Sequence, residues 1–210
     1  AMPEDEAIAA RVKEMAAPIE ELRKKQVAET AAPIDGGRDS CRAKECEMGS
    51  LVADAMLARV KDQGVTIAIQ NGGGLRASID AGPVTMGEVY SVLPFQNTLA
   101  TFEATGETLV KALENGASQY EDKAGRFAQV AGLKYTVDPA AEAGARVRVG
   151  RDVGPQHLER DGTTSLVDLD QVQGLRRQSG AQSAERLLET YEDLRVADLA
   201  AAELDRMGQG

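Results

Sequence analysis

The run Val65-Thr66-Ile67-Ala68-Ile69-Gln70 is apolar and partly β-branched, and it ends abruptly on Asn71-Gly72-Gly73-Gly74-Leu75-Arg76. Such a run favours a pleated, largely buried strand. Three consecutive glycines do not continue it, because glycine has no side chain to pack and adopts backbone angles that other residues resist. The strand is therefore predicted to deliver the backbone to one point and stop there. Asn71 brings an amide to that point. Arg76 brings a planar guanidinium fork of the kind that suits a phosphate or carboxylate. With no Cβ on Gly72, Gly73 or Gly74, a ligand is expected to approach the main chain closely. The segment reads as a small anion site at the end of a strand. A flexible loop followed by a surface Arg is the plain alternative.

Around this point, strands and helices alternate irregularly. Residues 4–31 place Ile8, Val12, Met15, Ile19 and Leu22 at three- and four-residue steps. That predicts a long amphipathic helix, with Pro18 as a point of kinking or division. Met48, Leu51, Val52, Ala55 and Met56 predict a second helix, ending near Gly64. Gly82-Pro83 reads as a turn, and Thr85 with Glu88 as a capping box. Residues 93–97 read as an irregular loop and 98–105 as a strand; a helix over 107–120 follows. Residues 128–137 and 146–149 alternate as strands, and 163–169 offers one more. Residues 171–180 are polar and irregular, and 184–207 carry two helical stretches. The expected fold class is α+β, a mixed sheet covered by helices and preceded by a long N-terminal helix.

Charge and length limit the partners. With 210 residues the chain is one large domain or one and a half small ones. A net charge of −10 repels nucleic acid and anionic membrane surfaces. A small anionic ligand then needs a locally concentrated positive site. No apolar run nears the ~20 residues of a membrane span, and the N-terminus lacks a signal-peptide pattern. Aromatics are few: three Phe, four Tyr and no Trp. Few rings are therefore free to stack on a ligand. Cys41 and Cys46 are compatible with a metal half-site, two free thiols or a short disulfide, and the one histidine, His157, lies far away in sequence.

Four blocks carry a resemblance. They are residues 41–56 (Cys41-Arg42 through Glu45-Cys46 to Ala53-Asp54-Ala55-Met56), Asn71 to Ile79, Val92-Leu93-Pro94-Phe95, and Gly125 to Leu133. In this order they resemble the C-terminal, substrate-binding domain of the 5′-nucleotidases. The resemblance implies a two-domain enzyme whose N-terminal metallophosphoesterase domain holds two divalent metal ions and whose C-terminal domain grips the nucleotide. It implies that Arg42, Asn71, Gly72, Gly73 and Arg76 line the phosphate and ribose side, and that Phe95 is one of two aromatics sandwiching the base. It implies that Cys41 and Cys46 form a disulfide, that residues 1–33 are the linker helix and 34–210 the domain, and that the protein is periplasmic or extracellular. Phe102, Phe127 and Tyr135 are expected in the core and Arg126 on the surface.

The chain departs from the family pattern in two places. Glu47 and Ser50 replace asparagines, which is expected to alter hydrogen bonding around Arg42. Residues 166–180 occupy the place of the second stacking aromatic, yet no aromatic occurs between Tyr135 and Tyr191. One histidine cannot supply a two-metal site. The expected function is therefore nucleotide binding for a metal-dependent phosphoester hydrolase, with no catalytic or metal-ligating residue and no cofactor in this chain. A nucleotide-binding module without turnover, or an interaction domain that has lost the site, are the competing readings.

Overall fold

A computed structural model describes residues 5–95, 97–149 and the backbone of 163–168. The expected irregular and helical segments of 171–207, and most of the stretch in place of the second aromatic, lie outside the described residues.

Helix α1 (Glu6–Lys24) opens on Asp5, whose carboxylate accepts the backbone N–H of Ala7 and Ile8. Pro18 lies inside this single helix and does not divide it. The helix is shorter than the periodicity predicts. Lys25 turns extended, and Gln26–Thr30 form strand β1. Strand β1 pairs antiparallel with β3 (Gly82–Thr85), which buries Ala28 and Val84. This tertiary pairing overrides the helical propensity of the segment. The expected turn at Gly82-Pro83 is accordingly a strand, in which Pro83 faces Glu29 across a two-stranded sheet. Both strands there are edges, the position in a sheet where proline is tolerated. The apolar stripe of α1 is exposed, from 45% at Leu22 to 67% at Met15.

The central sheet has the order β4-β8-β2-β5. Its strands are β2 (Ile67–Asn71), β4 (Ala100–Thr105), β5 (Ala128–Ala131) and β8 (Thr163–Asp168). β2 runs parallel to β8 and antiparallel to β5, so the sheet is mixed, as expected. Helix α3 (Glu47–Arg59) packs on one face of it, against β2 and β5. Helix α5 (Gly106–Ala117) packs on the other side, against β4, β5 and a hairpin of β6 (Tyr135–Val137) and β7 (Val147–Val149). β2 is therefore apolar on both faces: Ala68 joins the core under α3, and Ile67 joins the core with Leu109 and Leu113. Short helices α2 (Arg38–Cys41) and α4 (Met86–Val92) complete the fold, and Thr85 and Glu88 form the predicted capping box on α4.

Two further expectations change. The alternating run 128–137 is two strands in different sheets, broken at Gly132, where φ is +72° and an added Cβ would lie 2.0 Å from the Thr66 carbonyl oxygen. Phe102 is not a core residue: β4 is an edge strand, where Ala100 and Ala104 are buried but Phe102 stays 37% exposed.

Arg146 fixes the hairpin to α5. Its buried guanidinium donates to the carbonyls of Ala117 (3.0 Å) and, through Nε, Ala141 (2.9 Å), and pairs with Glu121. The Glu114 carboxylate accepts the N–H of Arg146 and Val147. Arg146→Met is expected to cost about 2–3 kcal/mol, because two carbonyls lose a charged donor. Urea denaturation measures this, and a change below about 0.5 kcal/mol would refute the assigned role.

Candidate functional site

β2 ends, as expected, at the glycines, which form one 3-10 turn, Gly72–Gly74. Their use differs from the prediction. An added Cβ on Gly72 would lie 2.0 Å from the Cys41 carbonyl oxygen, on Gly73 2.7 Å from Gly125 Cα, and on Gly74 2.4 Å from Gln70 Nε2. The Gly72 N–H donates to Phe127 O and the Gly73 N–H to Gly125 O, both at 2.7 Å. The space freed by the glycines is filled by the protein's own backbone at Gly72 and Gly73 and by the Gln70 and Asn71 side chains at Gly74, and these two amides are already used. The turn thus draws three segments into contact: the end of β2, the loop after α2, and residues 123–127.

The loop after α2 is closed by a Cys41–Cys46 disulfide with a Cα–Cα distance of 5.0 Å. Both cysteines are buried. Gln129 holds the same loop from β5. Its Oε1 accepts from Cys46 N–H (3.1 Å), and its Nε2 donates to Cys41 O (2.9 Å) and Lys44 O (2.8 Å). Arg42 lies within this loop. Its Nε is buried without a hydrogen-bond partner among the described residues. Burial, followed by the charges of Arg38 and Arg76, pushes the Arg42 guanidinium below its ordinary pKa. Arg38, four residues before Arg42, is a third cation that sequence reading missed, although an i, i+4 pair of arginines was visible. Lys123 is a fourth positive charge nearby, but it is paired with Asp39 at 2.6 Å.

Arg76 lies just beyond the glycine turn. Its N–H donates to Val92 O at 3.0 Å, which ties it to the end of α4. Its Nη1 donates to Gly73 O at 3.4 Å, and its Cζ lies 5.6 Å from the centroid of the Phe95 ring. Phe95 is 54% exposed, in the irregular loop predicted for it. The structure thus brings Arg42 within reach of the charge of Arg76 and Arg76 over Phe95, with Gly72 and Gly73 in the turn just before Arg76. Asn71 stands at the end of β2, where its Oδ1 accepts from Gln70 Nε2 at 2.9 Å.

The supporting residues behave mostly as expected. Phe127 is buried between the rings of Tyr120 and Tyr135, and the Tyr135 hydroxyl donates to Ala128 O at 2.6 Å. Arg126 is exposed and bonds Asn115 and Ser118. Glu47 accepts the Asp35 N–H, and Ser50 donates to Glu45. Neither of these bonds involves Arg42. A groove of about 730 Å³ elsewhere is lined by Asp35, Lys44, Glu45, Glu47 and Asp54 among others. Four carboxylates and one amine repel an anion, so the groove does not compete with the arginine cluster. Among the described residues, no three His, Cys, Asp or Glu are placed to hold a metal ion. No helix of the described residues is long and apolar enough to cross a membrane.

The same residues carry the sequence likeness. The model of the 5′-nucleotidase, C-terminal domain, matches residues 26–170. The chain belongs to this family. A trifunctional nucleotide phosphoesterase protein, YfkN, of Bacillus subtilis is 45% identical over 130 residues, which is 61% of this chain and 9% of that protein. The 5′-nucleotidase of Homo sapiens is 34% identical over 156 residues, 70% of this chain and 27% of that one. The crystal structure of a 5′-nucleotidase precursor from Thermus thermophilus superposes with a TM-score of 0.77 at 35% identity, over 98% of this chain and 41% of its own. The chain therefore spans less than half the length of these relatives.

Proposed function

We propose that this domain grips the phosphate and base of a nucleotide for a 5′-nucleotidase-type phosphoesterase. Arg42 and Arg76 hold the phosphate, Asn71 donates to the phosphate or ribose, and Phe95 stacks the base. Gly72 and Gly73 shape the wall beneath. The observation that carries this reading is the cluster of Arg38, Arg42 and Arg76, with Arg42 Nε buried and without a partner among the described residues. Like charges held together destabilise the protein unless an anion joins them. In a chain of net charge −10, so local a positive site is a specific feature.

Hydrolysis would fall to an N-terminal metallophosphoesterase domain holding two divalent metal ions, since a chain with one histidine does not make up the ligand set of such a site. Helix α1 serves as the linker to that domain, and the binding domain starts near residue 26, where the family match and β1 begin. The buried disulfide suits an oxidising compartment, periplasmic or extracellular.

The chain alone is expected to hydrolyse nothing. Incubated with AMP and Mn²⁺, Zn²⁺ or Mg²⁺, it should release no phosphate above a buffer blank; metal-dependent release by clean protein would contradict the division of labour. It should still bind AMP, in the millimolar rather than the micromolar range. One ring is worth roughly 1–3 kcal/mol and a charge-assisted bond about 1.5–3 kcal/mol, while the two affinity ranges differ by about 4 kcal/mol. Calorimetric titration that detects no AMP binding at all would favour an interaction domain. Binding by the natural full-length protein without turnover would favour a stand-alone binding module.

A further inference from the structure

We propose that two buried glutamines, Gln70 and Gln129, are positioning residues for this anion site. The proposal rests on Arg42 and Asn71 being ligand contacts, as argued above. The two glutamines are direct partners across β2 and β5, and they are 0% and 2% exposed. They share the sheet face that packs under α3, beside Ala68 and Ala131, which pair in the same register and belong to the apolar core. Burying an amide among apolar neighbours costs free energy unless its bonds are made. An apolar side chain of equal length would fill the space without that cost. What it would not do is orient the two ligand-bearing segments.

Gln129 orients Arg42. The disulfide joins the ends of the six-residue loop through side chains, and the N–H groups of Arg42, Ala43 and Lys44 bond back to Arg38 O and Ser40 O at 2.9–3.3 Å; the carbonyls of Cys41 and Lys44 and the Cys46 N–H are left to another partner. Gln129 supplies that partner, bonding Cys41 O, Lys44 O and Cys46 N–H at 2.8–3.1 Å, and so holds the Cys41–Arg42 plane from its carbonyl side. Arg42 follows Cys41 directly, so the direction of its side chain depends on a plane held from one side by the Arg42 N–H on Arg38 O and from the other by Gln129. Gly49 on α3 leaves the room for this, since an added Cβ there would lie 2.4 Å from Gln129 Oε1.

Gln70 orients Asn71. Its Nε2 donates to both Asn71 O (2.8 Å) and Asn71 Oδ1 (2.9 Å). Only the NH₂ end of an amide can face two acceptors, so Gln70 has one orientation. That orientation leaves its Oε1 buried without a partner among the described residues. A buried orphan oxygen is uncommon and calls for a compensating reason. The reason is the state of Asn71: with Oδ1 held by Gln70, Nδ2 is the end left to meet a ligand. An anion accepts and never donates, so this is the one amide orientation that serves it.

The test uses the whole chain with AMP and adenosine as probes. Gln70→Met and Gln129→Met keep length and apolar volume, and Leu113→Ala serves as a control that loosens the core on the opposite face of the sheet. All are titrated below their unfolding midpoints. Each glutamine variant is expected to weaken AMP about tenfold, adenosine less than about twofold, and Leu113→Ala neither. Should Gln129→Met not fold, Gln129→Glu keeps the acceptor for Cys46 N–H, loses both donors, and carries the same expectation. In ¹⁵N spectra without ligand, Gln129→Met should move the Arg42 Nε–H signal and Gln70→Met the Asn71 Nδ2 signals. AMP affinity within twofold of wild type, or an equal loss in Leu113→Ala, overturns the proposal. Wild-type protein that binds no AMP refutes the nucleotide reading instead. The ¹⁵N signals then decide alone, and unmoved Arg42 and Asn71 signals overturn the positioning roles.

Discussion

Gly72→Ala is expected to destabilise the protein by more than about 4 kcal/mol, a large share of the ~5–15 kcal/mol that holds a typical domain folded. The added Cβ would lie 2.0 Å from Cys41 O and 2.9 Å from Cys41 C, which are backbone atoms and not the ends of flexible side chains. Neither side can retreat cheaply. The loop bearing Cys41 is closed by the disulfide and held by Gln129. Gly72 itself is tied through its N–H to Phe127 O at 2.7 Å. Gly64 provides the contrast. It has φ of +75° and open space around its Cβ position, so Gly64→Ala meets only the left-handed backbone penalty of about 1–2 kcal/mol. Urea denaturation of the two variants distinguishes steric overlap from backbone strain. Gly72→Ala within about 1 kcal/mol of wild type would contradict the packing described for the site.

That contrast shows what the sequence made legible and what it did not. The place of the site could be read, because a β-branched run meeting three glycines fixes where a strand ends. The use of the glycines could not, because their neighbours Cys41 and Gly125 come from segments about 30 and 50 residues away in the chain. The apolar period of α1 was clear, but its end was not: residues 26–30 become a strand only through pairing with β3, and local propensity carries no trace of that partner. Phe102 alternated like a core residue and lies on an edge strand, whose position depends on the insertion of β8 between β4 and β2. Gln70 and Gln129 gave no signal, since glutamine in a strand ordinarily marks the solvent face. Arg76 was read from the strand and its glycines, Arg42 and Phe95 through the resemblance, and the structure gives a physical reason for grouping them. The guanidiniums of Arg42 and Arg76 feel each other's charge, and Arg76 lies over the Phe95 ring.

The largest functional effect is expected at Arg76. Removing a guanidinium that bonds a phosphate costs about 1.5–3 kcal/mol, or roughly ten- to a hundredfold in affinity. Its position over Phe95 adds a smaller contribution to the base side, about 0.5–1 kcal/mol at an exposed site. Phe95→Ala removes the stacking surface and should weaken AMP and adenosine about equally. The two ligands differ only in the phosphate, so together they separate the two halves of the site. The decisive measurement is the calorimetric titration of Arg76→Ala with AMP and with adenosine, beside wild type. The phosphate assignment predicts a loss of about tenfold or more for AMP and no more than about a few-fold for adenosine. Equal losses for both ligands, or no loss for either, would contradict it.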